Sequence, residues 1–315
     1  MPELTILIPA HNESGNLDAL MARLVPAVAP HVRDFEILFV DDGSRDDTFA
    51  KLRALAARDA RVRAISFSRN FGKEIAIAAG LDEARGDAVV MIDADLQMPP
   101  EVIPEFLAKW REGYATVYGE RIDRHSDGPI RRVVSEAFYR LFAGVAETKL
   151  TPRAGDFRLM DRKVVDALRR LPERARFTKG LYAWVGFSQI AVPYDHVDRH
   201  AGRSQWGWRK LFGFAFDGLT AFSTAPLRLA TWSGVTIALI AIAAALFFTV
   251  RTLIFGRDVP GFPALIVSVM FFSGIQLVFL GVIGEYVGRI FNEVKNRPLY
   301  IVADRVGDAP QERAP

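Results

Sequence analysis

The chain has 315 residues, half of them hydrophobic, with 40 lysines and arginines against 37 aspartates and glutamates and no cysteine. A net charge of +3 is too small to point to nucleic acid. Without thiols there is no disulfide to form and no thiolate metal site to build, as suits a domain facing the cytosol.

The opening MPELTILIPAHNE has neither a basic n-region nor a long apolar h-region, so no cleaved signal peptide is expected. LTILIP, FEILFV, VRAISF and AVVMI are unbroken apolar runs, the pattern of strands covered on both faces. Between them Leu17, Leu20, Met21 and Leu24 recur at helical spacing, as do Phe49, Leu52 and Leu55. Strands alternating with helices predict an α/β domain over residues 1–202, with a mostly parallel sheet and helices on its faces. From Ser204 to Ser223 aromatics interleave with Arg209, Lys210 and Asp217, which predicts amphipathic helices lying in the membrane interface over 203–228.

Two uncharged stretches follow, 22 residues between Arg228 and Arg251 and 26 between Asp258 and Glu285. About 20 apolar residues suffice to cross a bilayer, so a two-helix transmembrane hairpin is expected over 229–288. The alternative is a pair of buried core helices. Arg203, Arg209, Lys210 and Arg228 precede the spans, and Arg289, Lys295 and Arg297 follow them. This bias puts both flanks, the first domain and both termini on the cytosolic side of the cytoplasmic (inner) membrane. Residues 289–315 are expected to form a cytosolic tail. Glu285 and Arg289 have the spacing of an ion pair on one helix face.

Acidic and amide side chains gather where the apolar runs end. TILIPAHNE delivers Asn12 and Glu13, EILFVDDGS delivers Asp41 and Asp42, and VVMIDADLQ delivers Asp93, Asp95 and Gln97. One such turn is ordinary helix capping. Three, at the carboxyl ends of strands in one parallel sheet, mark the edge where ligands bind in this architecture. Oxygen ligands without His or Cys select a hard cation, Mg²⁺ or Mn²⁺, which takes its remaining ligands from water and a substrate diphosphate. Asp93, Asp95 and Gln97 are therefore the candidate metal set. No GxGxxG or GxxxxGK(S/T) accounts for a nucleotide. Arg131 and Arg132 follow Pro129 in a predicted first helical turn, where the helix dipole disfavours a cation unless an anion is shared.

The segments FVDDGSRDDT, SRNFGKEIAIAAGLD, DADLQMPPE and GDFRLMDRKVV resemble the inverting glycosyltransferases of the GT-A fold. HAGRSQWGWRKL, AFDGLTAFSTAPLR and IGEYVGRIFNEVKNRPLYIV are similar to its polyprenyl-phosphate branch, that of dolichyl-phosphate mannose synthases and bactoprenol glucosyltransferases. The resemblance runs from Leu4 to Val302. It implies membrane-bound transfer of a hexose from a nucleotide-sugar, UDP-glucose favoured and GDP-mannose the alternative, to a polyprenyl phosphate. It also implies that Pro9, Asn12, Glu13 and Asp41 line the nucleoside pocket, that Asp93 sits by the ribose and metal, and that Asp95 and Gln97 ligate the ion. Arg121, Arg131 or Arg132, Ser135 and Arg203 would hold phosphates, and Asp156 takes the place of a catalytic carboxylate. Met98 stands where relatives often carry a polar residue or His, so no metal-binding side chain is expected there. A symmetric oligomer packed through the spans or through NRPLYIV is compatible with this branch.

The chemistry suits these residues. A lipid phosphate monoester has a second pKa of about 6, by analogy with phosphorylated side chains, so at neutral pH it needs no strong base. Asp156 is accordingly expected to orient donor hydroxyls or the arginines. The alternative is a structural carboxylate paired with Arg158 or Arg162. Transfer to diacylglycerol, or an inactive domain kept as a lipid-translocation scaffold, are the competing functions. The five histidines show no paired ligand spacing and are expected to be non-catalytic.

Overall fold

The four apolar runs form strands: β1 (Leu4–Ala10), β2 (Phe35–Asp41), β3 (Val62–Phe67) and β4 (Ala88–Met91), each buried along its whole length. The protein is described here by a computed structural model that covers residues 2–122, 154–171, 173, 174, 176, 178–195, 225–255 and 261–307. β1 pairs in parallel with β2 and β4, and β2 in parallel with β3. The predicted helices appear as α1 (Leu17–Val28) and α2 (Thr48–Arg58). They are joined by α3 (Lys73–Glu83) and α4 (Ile103–Arg111).

Beyond α4 the sheet becomes mixed. β5 (Thr116–Arg121), β6 (Ala154–Asp161), α5 (Arg162–Arg169), α6 (Thr178–Trp184) and β7 (Gln189–Tyr194) complete the globular part. β6 is antiparallel to both β4 and β5, while β5 and β7 are parallel. With β8 (Val302–Val306), the eight-stranded order is β7-β5-β6-β4-β1-β2-β3-β8. Because β6 is reversed, its first residues lie at the edge where the parallel strands end. That topological detail places Asp156.

Each sheet face has its own core. Leu17, Leu20 and Leu24 of α1, Leu52 of α2 and Phe106 of α4 pack on Leu4, Ile6 and Ile8. Ala76 and Ala79 of α3, Val165 of α5 and Leu181 of α6 pack on Leu7, Leu38 and Met91. A fully buried Leu contributes about 1.5–3 kcal/mol relative to exposure, so alternate strand residues contribute on both sides. Helix α3 sits unusually close, because a Cβ on Gly80 would fall 2.0 Å from Leu7 Cδ1.

The two apolar stretches form α7 (Ala225–Phe255) and α8 (Phe262–Val294), which contain candidate membrane spans at Ala230–Phe255 and Val267–Val294. Leu239, Phe247, Met270 and Leu277 are all more than half exposed, which rules out the core-helix alternative. At 1.5 Å per residue each span is about 40 Å long, enough for a hydrocarbon layer of about 30 Å with tilt. Both helices overrun the expected hairpin of 229–288. Arg289 and Glu285 pair as expected, at 3.1 Å. The interfacial segment lies outside the described residues up to 224, and 225–228 open α7.

The expected tail does not simply trail away. Val302–Val306 forms β8, antiparallel to β3. Tyr300 stacks on Phe67 at 5.1 Å, Arg305 pairs with Glu83 at 2.8 Å, and the Arg174 amide donates to Glu293 at 2.9 Å. Its mixed, half-exposed sequence carries no apolar run, so hydropathy gave no strand signal. The pairing comes from the open edge of β3.

Candidate active site at the carboxyl edge of the sheet

Beyond the end of β4 at Met91 the chain runs through Ile92 into Asp93–Ala94–Asp95–Leu96–Gln97. Leu96 has φ +62°, a left-handed conformation that costs a non-glycine residue about 1–3 kcal/mol. The turn is tied by the Gln97 amide donating to Asp95 Oδ1 at 3.1 Å. The Asp93 amide donates to Met98 Sδ at 3.5 Å, so Met98 buttresses the turn from within. This strained turn presents Asp95 and Gln97 at the sheet edge, and the strain suggests a functional constraint.

Asp156 reaches the same place from β6. Met91 pairs with Arg158, and continuing that antiparallel register by two residues sets Asp93 opposite Asp156. Between them lies Lys73, the first residue of α3. Its Nζ donates to Asp93 Oδ2 at 2.8 Å and to Asp156 Oδ2 at 2.9 Å, and lies 2.7 Å from Asp93 Oδ1. A cation in the first turn opposes the helix dipole, and here two carboxylates offset that. Lys73 lies in SRNFGKEIAIAAGLD, and its place between two carboxylates is not visible in the sequence. The available signal was a lysine directly after Gly72 at the head of an apolar helix.

The electrostatics follow from this triad. Burial opposes the charge on Lys73, but Asp93 and Asp156 outweigh it and keep the ammonium protonated. Burial also opposes ionisation of Asp156, yet Lys73, with Lys179 and Arg158, holds its carboxyl well below the usual range. Burial pushes the Asp93 carboxyl up against the pull of Lys73, helped by the charges of Asp156 and Asp95. Asp156 is therefore an ionised, weakly basic carboxylate. Its hydrogen-bonded cation is Lys73, while Arg158 acts on it through charge. Arg158 is buried with its guanidinium 3.6 Å from the Tyr182 ring centroid, and Arg162 donates to Gly86 O.

The nucleoside candidates cluster one and two strands away. Asp41, 1% exposed, accepts from Ser66 Oγ at 2.6 Å and from the Ser44 amide at 3.1 Å. A carboxylate has roughly four lone-pair directions, so capacity for a ligand remains. Asn12 has φ +56°, accepts from the Arg45 amide and receives no strain relief from a glycine. Glu13 Oε2 accepts from Asn16 Nδ2 at 2.5 Å. Pro9 lies in β1 opposite Val40. His11 Nδ1 donates to Asp42 O, and its Nε2 accepts from Asn12 Nδ2, so the ring braces this loop. Asp42, neighbour of Asp41, accepts from the amides of Phe71 and Gly72 and so anchors the head of α3 that carries Lys73.

Arg121 closes β5, opposite Tyr194 of β7. Arg131, Arg132, Ser135 and Arg203, together with Trp206 and Trp208, lie outside the described residues. Among the described residues no three His, Cys, Asp or Glu side chains form a closed metal cage. The oxygen-only donors Asp95 and Gln97 fit an open hard-cation site completed by water and substrate. Asp156 Oδ1 is buried without a hydrogen-bond partner among the described residues, which calls for an explanation in a native site.

Comparison with known proteins supplies the family. The model of "Glycosyl transferase family 2" matches residues 5–169. An uncharacterized glycosyltransferase of Synechocystis is 47% identical over 97% of this chain and 96% of its own. A bactoprenol glucosyl transferase of Shigella phage SfII is 43% identical over 95% of this chain and 97% of its own. Among solved structures, glucosyl-3-phosphoglycerate synthase from Mycobacterium tuberculosis aligns with 21% identity and a TM-score of 0.48, over 70% of this chain and 79% of that one.

Proposed function

The chain belongs to glycosyl transferase family 2, and from that premise we propose that it transfers a hexose from a nucleotide-sugar to polyprenyl phosphate with inversion. UDP-glucose is the favoured donor and GDP-mannose the alternative. The relative named bactoprenol glucosyl transferase supports the acceptor class, since the match extends along almost the whole of both chains, candidate spans included. The observation that carries the reading is the ionised, Lys73-held Asp156 beside the Asp93–Gln97 turn, on a chain that also carries two candidate spans. The working site would face the cytosol at the inner membrane.

In this reading Pro9, Asn12, Glu13 and Asp41 hold the nucleoside and Asp93 the ribose side. Asp95 and Gln97 would hold Mg²⁺ or Mn²⁺, which when bound supplies Lewis-acid charge against the departing diphosphate. Arg121, Arg131 or Arg132, Ser135 and Arg203 would balance the two phosphate groups and align them for in-line attack. Asp156, held ionised by Lys73, orients the donor rather than taking a proton. A doubly charged lipid phosphate needs none removed.

The test is a donor screen with detergent-purified protein, reading labelled sugar into undecaprenyl phosphate and into diacylglycerol in parallel. Incorporation into the phosphate alone is expected. Incorporation into diacylglycerol alone would overturn the acceptor, because a neutral hydroxyl calls for a base that Asp156 is poorly suited to be.

A further inference from the structure

Lys73 is the second partner of two carboxylates assigned to different tasks. Its ammonium contacts both oxygens of Asp93 and one oxygen of Asp156. It is not a chance surface pair. The head of α3 is fixed by Asp42, whose carboxylate accepts from the Phe71 and Gly72 amides immediately before Lys73. The body of α3 is fixed by Gly80 against Leu7. The second carboxylate is fixed independently, by the β4–β6 register. Two rigid elements therefore deliver the charges to one point, and one oxygen of the group, Asp156 Oδ1, is left buried and unpartnered among the described residues.

Three carboxylates, those of Asp93, Asp95 and Asp156, share this edge. Without the ammonium, the negative charge of Asp93 and Asp156 would favour any cation nearby. The ammonium already stands there. A second cation beside it would be repelled. Asp95 and Gln97 follow on the turn at Leu96, and the carboxylates that the Lys73 ammonium touches are those of Asp93 and Asp156.

We propose that Lys73 is a positioning residue that partitions the acidic edge: it reserves Asp93 and Asp156 for the donor sugar and ribose and confines a divalent ion to Asp95 and Gln97. Asp156 Oδ2 is held by the ammonium, and Oδ1 accepts from a donor-sugar hydroxyl. The role of the sugar rests on the glycosyl-transfer reading above. The charge partition does not.

The experiment compares full-length K73M, K73R and D156N with wild type in detergent. Free Mn²⁺ is titrated by electron paramagnetic resonance with Mn²⁺ alone, without nucleotide or acceptor. Wild type and K73R are expected to bind weakly, and K73M about tenfold or more tightly, since a repelling unit charge has gone. In transfer assays K73M is expected to lose on the order of 10²-fold in kcat with a much smaller change in donor KM, as for a lost alignment of bound substrate. K73R recovers part of that loss. K73M and D156N combined are expected to lose little more than either alone, because one acts through the other. Mn²⁺ affinity unchanged in K73M, or losses that multiply in the double variant, would overturn the proposal. Absence of transfer by wild type to any polyprenyl phosphate would sink the functional reading instead, and the Mn²⁺ titration would still decide for or against Lys73.

Discussion

Gly43→Ala tests whether the two loops at the site are mutually dependent. Gly43 has φ +63°, and a Cβ there would lie 2.4 Å from the Arg69 carbonyl carbon and 2.7 Å from the Asn70 nitrogen. Both are backbone atoms, so no flexible side chain can yield. The left-handed backbone costs alanine about 1 kcal/mol or slightly more. Pushing the Arg69–Gly72 segment away adds an overpacking cost of about 1–3 kcal/mol. The total is about 2–4 kcal/mol, which for a domain of this size lowers Tm by about 2–4 °C per kcal/mol. The same displacement pulls the Phe71 and Gly72 amides from Asp42 and shifts Lys73, so sugar transfer should fall further than stability alone explains. Gly113→Ala is the control. Its φ is +104° but nothing lies within 4 Å of a Cβ, so it incurs backbone strain without moving a neighbour. Thermal unfolding in detergent and steady-state transfer on both variants give the comparison. A G43A protein with the Tm and kcat/KM of G113A would refute the reasoning.

Asp95→Asn should reduce kcat/KM on the order of 10²-fold, and added Mn²⁺ should not restore it; full activity at any Mn²⁺ concentration would contradict its assignment. Chelation with EDTA should abolish transfer, and Mg²⁺ or Mn²⁺ should return it. Glu36→Ala removes the carboxylate that accepts from the buried Arg63 at 2.8 Å, from Thr5 at 2.6 Å and from the Arg85 amide at 2.8 Å. Breaking such a buried pair costs about 3–5 kcal/mol. The network lies at the opposite end of the strands from Asp93, so urea unfolding should shift while donor KM stays put. Tyr300→Ala removes the stack on Phe67, and amide exchange across Val302–Val306 should accelerate; unchanged protection would mean that pairing with β3 alone holds β8.

The first half of the sheet was readable from hydropathy because β1 to β4 are apolar on both faces and buried throughout. The second half was not. β6 carries Arg158 at its centre, a charge that interrupts the apolar run and that in three dimensions donates to Gly155 O and lies over the Tyr182 ring. Asp93 and Asp95 stood out because an apolar strand ran directly into them. Lys73 did not, since its partners lie 20 and 83 residues away and meet it only through the reversal of β6. Asp156 was identifiable through family resemblance rather than pattern, for the same reason.

The two outermost strands of the sheet also bracket the two candidate spans in the chain. β7 precedes α7, and β8 follows α8. On the β8 side the join is short, since α8 ends at Val294 and β8 begins at Val302. A chain extends by at most about 3.6 Å per residue, so a strand laced into the sheet this soon after the helix is a taut mooring line, keeping that helix end near the rim formed by β3 and β8.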